Sequence, residues 1–96
     1  MNYHDTPLIN NEAKHSFEMT VEGQRAFIDY QLRDNKIFLV HTEVPKQLQG
    51  RGIAAAMVEK AFQYIEAQHL IMVPLCPYVV HYLEQHSQWG YLTGDY

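Results

Sequence analysis

The sequence predicts an α+β fold: a mixed, mostly antiparallel sheet of about four strands, with a helix crossover after the third strand. Two segments before residue 45 show the apolar alternation of strands, and a third contains a run that is apolar on both faces. An amphipathic helix then separates them from a short fourth apolar segment. A helix in that place makes the third and fourth strands parallel neighbours, joined by a right-handed crossover. A short C-terminal helix completes one small domain over residues 1–96.

The strands before residue 45 follow from period-two patterns. Residues 1–14 are polar and aperiodic, which indicates a loop or a short edge segment. Apolar and polar residues alternate over 17–22 and again over 25–32, as they do in half-buried strands. The third strand, Lys36–Val44, contains a run that is apolar on both faces, Ile37–Val40, and is therefore expected to be central.

The second half of the chain predicts two helices around one strand. Apolar residues recur every four positions in Ile53–Gln68 while charged residues fall elsewhere, which is typical of an amphipathic helix. Leu70–Leu75 is a short apolar strand, and Tyr78–His86 has the pattern of a short second helix. Residues 90–96 are expected to form a tail.

Composition and charge restrict the class of function. The net charge of −4 argues against nucleic-acid binding, because phosphate backbones require clustered Lys and Arg. The single cysteine, Cys76, excludes an internal disulfide and fits a reducing compartment. The sequence shows no signal-peptide pattern and no apolar run near the ~20 residues of a membrane helix. We therefore expect a cytoplasmic protein with no nucleic-acid or membrane partner.

The most informative motif is Gln47–Ala54, which follows the third strand and opens the long helix. Gly50 and Gly52 let the backbone turn tightly and bring N–H groups close to a ligand. The helix N-terminus adds unpaired N–H groups and the positive end of its dipole. This combination indicates a cradle for phosphate oxygens, so the chain is expected to bind a phosphate-bearing cofactor.

At this point the sequence resembles a known family. The loop at 47–52, Gln-x-x-Gly-x-Gly, resembles the Gln/Arg-x-x-Gly-x-Gly/Ala loop of the GNAT superfamily of N-acetyltransferases. The blocks at 41–45 (His-Thr-Glu-Val-Pro) and 74–79 (Pro-Leu-Cys-Pro-Tyr-Val) resemble those of the small stand-alone YjdJ-type N-acetyltransferases. The resemblance covers residues 17–89. It implies a reduced GNAT fold, without the helix pair that usually follows the first strand and without the usual last two strands.

The resemblance implies acetyl-coenzyme A (acetyl-CoA) as the acetyl donor and an amine of a small molecule or a protein as the acceptor. The donor's pyrophosphate would lie on the amides of 49–54 and its pantetheine arm beside 42–44. The amide of Val44 would hydrogen-bond the thioester carbonyl and stabilise the developing oxyanion. The residues expected to contact the donor are Thr42, Val44, Gln47, Gln49, Gly50, Arg51, Gly52, Ile53, Ala54 and Tyr82.

The catalytic candidates on the third strand are His41 and Glu43. Acetylation requires a neutral amine, whereas a free alkylammonium with a pKa of about 10 is protonated at neutral pH. His41 and Glu43 lie two residues apart on a predicted strand and therefore project from the same face. Either side chain is a candidate for the base. The alternative is that Glu43 is a solvated charge and His41 a hydrogen-bonded structural residue.

Cys76 is the third catalytic candidate, at the end of the fourth predicted strand. It could be a nucleophile that forms an acetyl-enzyme, or a thiol that donates a proton to the leaving thiolate. The alternative is a small buried hydrophobe.

The usual general acid of the superfamily is displaced in this chain. Many GNAT enzymes carry Asn-x-x-Ala-x-x-Phe-Tyr here, with the Tyr as acid. Aligning Cys76 with the Asn puts Leu83 at the Tyr, so Cys76, His81 or Tyr82 would have to replace it. A shift of one residue would give Tyr82 that role. Residues 86–89 read His-Ser-Gln-Trp where the YjdJ-type pattern has His-Pro-Glu-Tyr, which puts any role of that acidic residue in doubt.

Two rival functions follow from the same residues. If the protein has no working base, it would be a non-catalytic module in which the same loop binds coenzyme A or a nucleotide. A metal site of Cys76, His81 and His86 is disfavoured, because on a helix these spacings point the side chains apart, unlike the i, i+4 pair of a zinc helix. We therefore expect no metal. The acceptor groove of so small a domain is expected to be open, and a second copy in a homodimer or another protein would complete it.

Overall fold

In the computed structural model, which describes residues 3–94, five strands form one mixed sheet in the order β1-β2-β3-β4-β5. β1 to β4 pair antiparallel, and β5 runs parallel to β4. The predicted α+β fold class is therefore confirmed. The strands are β1 Ile9–Asn11, β2 Ser16–Val21, β3 Gln24–Arg33, β4 Lys36–Glu43 and β5 Ile71–Pro74.

The strand beyond the expected four is β1, which lies in the segment predicted to be a loop or a short edge. It contains three residues, too few to show an alternating pattern. Its register with β2 pairs Ile9 with Glu18 and Asn11 with Ser16. A side-chain bond from Tyr30 Oη to Asn10 Oδ1, at 2.5 Å, also ties it to β3.

Two α-helices cover the sheet, and three short 3₁₀ helices connect elements within residues 3–94. The α-helices are α1 Ile53–Ala67 and α2 Pro77–Gln85, and the 3₁₀ helices are Glu12–Lys14, Lys46–Leu48 and Ser87–Thr93. α1 packs across β2, β3 and β4, and α2 packs against β4 and β5. Pro77 opens α2 at a position where the missing N–H costs no helical bond. None of the helices in residues 3–94 has both the length and the apolar character needed to cross a bilayer.

The buried side chains of both α-helices and of the strand faces beneath them form a single core cluster. Phe17, Ile28 and Leu39 from the sheet and Met57 and Phe62 from α1 have no exposed surface. The buried residues of α1 recur at spacings of three and four, so the apolar face predicted from the sequence is the face that packs on the sheet.

The C-terminal segment differs from the predicted tail. Residues 90–93 belong to the 3₁₀ helix Ser87–Thr93, and Leu92 within it is fully buried. The ring of Trp89 meets that of Phe62 edge to face at 5.7 Å. Burial of these apolar side chains holds the segment on the core despite its two glycines. The last two residues of the predicted tail lie outside the described residues.

The parallel strands β4 and β5 separate where the functional site begins. Their ladder joins Lys36–Leu39 to Ile71–Pro74 and ends there. The carbonyl of Leu39 accepts from both Leu75 N and Cys76 N, at 3.0 and 2.9 Å. The register between β3 and β4 shifts at the same level, so β4 has one extra residue. Beyond this point β4 pairs with β3 alone and leaves a gap on its other side.

Candidate functional site

The loop between β4 and α1 is shaped by two left-handed glycines. Gly50 and Gly52 have φ of +81° and +82°, which residues with a Cβ adopt only at a cost. Leu48, just before them, is fully buried and anchors the loop to the core. A Cβ built on either glycine would meet no protein atom within 4 Å. The glycines therefore face open space, as a cradle for a ligand requires.

The same space receives the first amides of α1. The first backbone bond of the helix runs from Ala56 N–H to the carbonyl of Gly52 at 3.1 Å. By helix geometry the amides of 53–55 have no acceptor within the helix. Gly52 is the N-cap and supplies no side-chain cap. These N–H groups and the dipole of a 15-residue helix favour an anion at this end.

A cavity of about 260 Å³ opens between this loop, the end of β4 and the start of α2. It contains six of the ten predicted donor contacts, and none of its lining residues is acidic, which suits an anionic ligand. Three further lining residues, Leu48, Ala55 and Tyr78, were not predicted. The six predicted residues are Val44, Gln49, Gly50, Gly52, Ile53 and Ala54.

The side chains of the loop secure it on both sides. Gln49 Nε2 donates to the carbonyl of Val44 at 3.1 Å, which ties the loop to the end of β4. The guanidinium of Arg51 pairs with the carboxylate of Glu22 in the β2–β3 turn. Arg51 and Gln47 do not line the cavity; Gln47 is exposed on the 3₁₀ helix before the loop.

Cys76 is buried, 4% exposed, and occupies the N-cap of α2 beside the gap between β4 and β5. Its Sγ lies 3.3 Å from Thr42 Oγ1. Burial raises the pKa of the Cys76 thiol, but the Thr42 hydroxyl and the backbone amides of Val79 and Tyr78 outweigh it, so that the net pKa is lowered. The structure therefore brings Thr42 and Cys76 together, and this contact contributes to the lowered pKa of the thiol.

His41 and Glu43 lie on the opposite face of β4. Their partners in β3 are Asp29 and Phe27, whereas Thr42 pairs with the buried Ile28. His41 Nε2 and Glu43 Oε1 are 3.6 Å apart, and both side chains are more than half exposed. A contact so exposed contributes little to stability. The two base candidates thus share one face, as the alternation predicts, and the thiol reaches the other.

The two tyrosines of α2 differ in their access to the cavity. Tyr82 is 7% exposed, meets Phe62 edge to face and stacks on His86 with ring centroids 4.0 Å apart. It does not line the cavity, whereas the half-buried Tyr78 does. Burial raises the pKa of both phenols, and Glu59 and then Tyr78 add to the rise at Tyr82. Each phenol is therefore protonated at neutral pH, and Tyr78 is the one of the two that lines the cavity.

The residues of the disfavoured metal site do not converge. His81 is exposed, and His86 Nδ1 lies 2.9 Å from the carbonyl of Tyr82. No group of three His, Cys, Asp or Glu side chains that could hold a metal ion occurs within 3–94.

A glycine-rich loop that opens a helix, beside the split between two parallel strands, is thus the central feature of the fold. A comparison with protein families matches residues 16–92 to the family described as GCN5-related N-acetyl-transferase. The match includes β2 to β5, both α-helices and every residue of the cavity lining. The chain belongs to the GCN5-related N-acetyltransferase family.

Proposed function

We propose that this protein is an acetyl-CoA-dependent N-acetyltransferase of the YjdJ type, which acetylates an amine of a small molecule or a protein. The family accounts for acyl-CoA-dependent acetyl transfer in general. The observation that carries the proposal is the cavity between Gly50, Gly52 and the end of β4, which adjoins the N-terminus of α1, where helix geometry favours an anion.

The residues present fit a diphosphate attached to a less polar arm. The amides of 50–55 would hold the pyrophosphate, because their glycines leave the space open and their helix end is electropositive. The apolar lining residues Val44, Ile53 and Tyr78 would contact the pantetheine arm. When bound, acetyl-CoA supplies an activated acetyl thioester.

The proposed base and the proposed thiol act from opposite faces of β4. His41 and Glu43, on the exposed face, would take a proton from the incoming ammonium, directly or through water. On the other face, Cys76 would donate a proton to the departing thiolate or act as the nucleophile. The Val44 amide, at the end of β4, would donate to the oxyanion. Tyr78 is the alternative proton donor, because it lines the cavity while Tyr82 does not.

The proposal is tested by binding and turnover measured on the same preparation. Calorimetry should detect stoichiometric binding of acetyl-CoA. A thiol-release assay with acetyl-CoA should then show turnover on at least one member of a panel of small primary amines and lysine-containing peptides. Binding without turnover on any acceptor would support the non-catalytic module instead. A folded protein that gives no heat with acetyl-CoA or CoA would overturn the enzyme and the CoA-binding module alike.

A further inference from the structure

Thr42 has a contact that the resemblance does not predict. The sequence places it beside the pantetheine arm, but it does not line the cavity. Its hydroxyl instead meets the sulfur of Cys76, 34 residues further along the chain, at 3.3 Å. This side-chain hydrogen bond links the C-terminal end of β4 to the N-cap of α2.

The backbone hydrogen bonds of Cys76 restrict the positions that its sulfur can occupy. Cys76 N donates to the carbonyl of Leu39 at 2.9 Å, and the carbonyl of Cys76 accepts from Val80 N at 3.0 Å. Rotation about the Cα–Cβ bond is the main freedom that remains to the thiol. Thr42 is β-branched, so its own hydroxyl has few rotamers on a strand. The contact therefore selects one orientation of the sulfur.

The chemistry of a hydroxyl suits both protonation states of a thiol. A neutral thiol donates its S–H to Thr42 Oγ1, whereas a thiolate accepts the Thr42 O–H, since a hydroxyl is donor and acceptor. We propose that Thr42 is a positioning residue for Cys76: its hydroxyl holds the sulfur at the gap between β4 and β5 before and after proton loss. This role rests on the proposed function, in which Cys76 takes part in acetyl transfer.

The groups that contact the Cys76 sulfur and lower the pKa of its thiol most are neutral. The donors that lower the pKa of Cys76 most are the Thr42 hydroxyl and the backbone amides of Val79, Tyr78 and Thr42. The carboxylate and the imidazole on this part of β4 project from its other face. The elements packed around Cys76 carry the following titratable side chains: Lys36, His41 and Glu43 on β4, Glu59, Lys60, Tyr64 and Glu66 on α1, Tyr78, His81, Tyr82 and Glu84 on α2, and His86 after α2.

The test uses the fact that Cys76 is the only cysteine of the chain, so any thiol signal reports on it alone. Thr42→Val keeps the branched shape and removes the hydroxyl, whereas Thr42→Ser keeps the hydroxyl. Thr20→Val, at an exposed position of β2, makes the same change away from the site. The readouts are the pH titration of the ¹³Cβ resonance of Cys76 and the rate of its alkylation by iodoacetamide, both without acetyl-CoA.

We expect Thr42→Val to move the Cys76 titration to higher pH and to slow alkylation at neutral pH about threefold to tenfold, since one pKa unit is a tenfold change in thiolate fraction. Thr42→Ser and Thr20→Val should titrate close to wild type. A Thr42→Val titration that coincides with wild type would overturn the proposal, and so would a Thr42→Ser titration shifted as far as that of Thr42→Val.

One further variant and the choice of readouts keep the outcome decisive. Should Thr42→Val not fold, Thr42→Ala is measured in its place against the same Ser variant and judged by the same criteria. Because both readouts are made on the free protein, a failure to bind acetyl-CoA would overturn the proposed function without moving the Thr42 result. An unshifted titration would overturn the positioning role and leave the function standing.

Discussion

The side chain of Gln49 reaches back to Val44, where its Nε2 donates to the backbone carbonyl at 3.1 Å. Both residues line the cavity, so one hydrogen bond joins the loop proposed to hold the pyrophosphate to the strand end proposed to hold the thioester. This bond sets the spacing between the two halves of the donor site.

Gln49→Ala should weaken acetyl-CoA binding about twofold to tenfold, because a single side-chain hydrogen bond contributes roughly 0.5–1.5 kcal/mol. Calorimetric titration measures the change. Gln88→Ala, at an exposed position of the C-terminal 3₁₀ helix, is the matched control and should bind as wild type. Equal affinity of Gln49→Ala and Gln88→Ala would show that the tether does not shape the site.

The left-handed conformation of Gly52 gives a second prediction. Gly52→Ala should destabilise the protein by about 1–2 kcal/mol, since a Cβ disfavours a φ of +82°. The methyl group would also enter the space proposed for phosphate, so acetyl-CoA affinity should fall further than stability alone requires. Urea unfolding and calorimetry measure the two effects.

Gly90→Ala is the control for this substitution. A Cβ there also meets no atom within 4 Å, but the backbone is not left-handed and the residue lies outside the cavity. Its stability should stay near wild type or rise slightly. Wild-type acetyl-CoA affinity in a folded Gly52→Ala variant would contradict the phosphate cradle.

The sequence predicts an element of this fold where the element is long enough for its apolar residues to show a repeat. α1 repeats its apolar spacing over four turns, and the structure contains that helix. The run at Ile37–Val40 predicts a central strand; β4 is an interior strand between β3 and β5, but Val40 on its second face is exposed. β1 is too short to carry a period, and only its pairing with β2 reveals it. Residues 90–93 of the 3₁₀ helix Ser87–Thr93 were expected to be part of a tail, because burial of Leu92 is a tertiary effect that the sequence pattern does not show.

The part of the site that follows from local backbone conformation could be predicted from the sequence. The part that follows from contacts between distant elements could be predicted less well. The glycine spacing identifies the loop without help from the fold. The proximity of Thr42 to Cys76 and the presence of Tyr78 in the cavity arise from the separation of β4 and β5 and from the start of α2. The block at 74–79 contains both Cys76 and Tyr78, and that block was the available signal for the tyrosine.

The exposed pair on β4 provides the third prediction. Glu43→Gln or His41→Asn, whichever removes the base, should lower kcat/KM about 100-fold and change the shape of its pH profile, since general-base catalysis contributes ~10²–10⁴ in rate. Acetyl-CoA affinity should stay unchanged, because neither side chain lines the cavity. Glu84→Gln, exposed on α2, is the control. If both variants keep the wild-type pH profile, the two residues are not the base.

Removal of the thiol provides the fourth prediction. Cys76→Ala should reduce turnover at least tenfold if the sulfur donates a proton or attacks the acetyl group. Cys76→Ser separates these roles from packing, because it keeps the volume and a hydrogen bond to Thr42 but loses the acidity of the thiol. Steady-state thiol release measures all three proteins. Wild-type turnover in Cys76→Ala would leave Cys76 as a packing residue.

The last prediction concerns acid stability. Glu18 accepts from Arg25 Nε at 2.6 Å and from Asn11 Nδ2 at 3.1 Å, which links β1, β2 and β3. Burial raises the pKa of Glu18, but these bonds and the charges of Arg25 and Lys14 outweigh it, so its pKa lies below the usual 4.5. The unfolded chain then binds a proton that the folded chain does not, and stability falls as pH drops below 4.5 through the folded pKa. Urea unfolding should find the stability difference between wild type and Glu18→Gln constant near neutral pH and shrinking in that acid window. A difference that stays constant into acid would show that Glu18 is not held ionised by its partners.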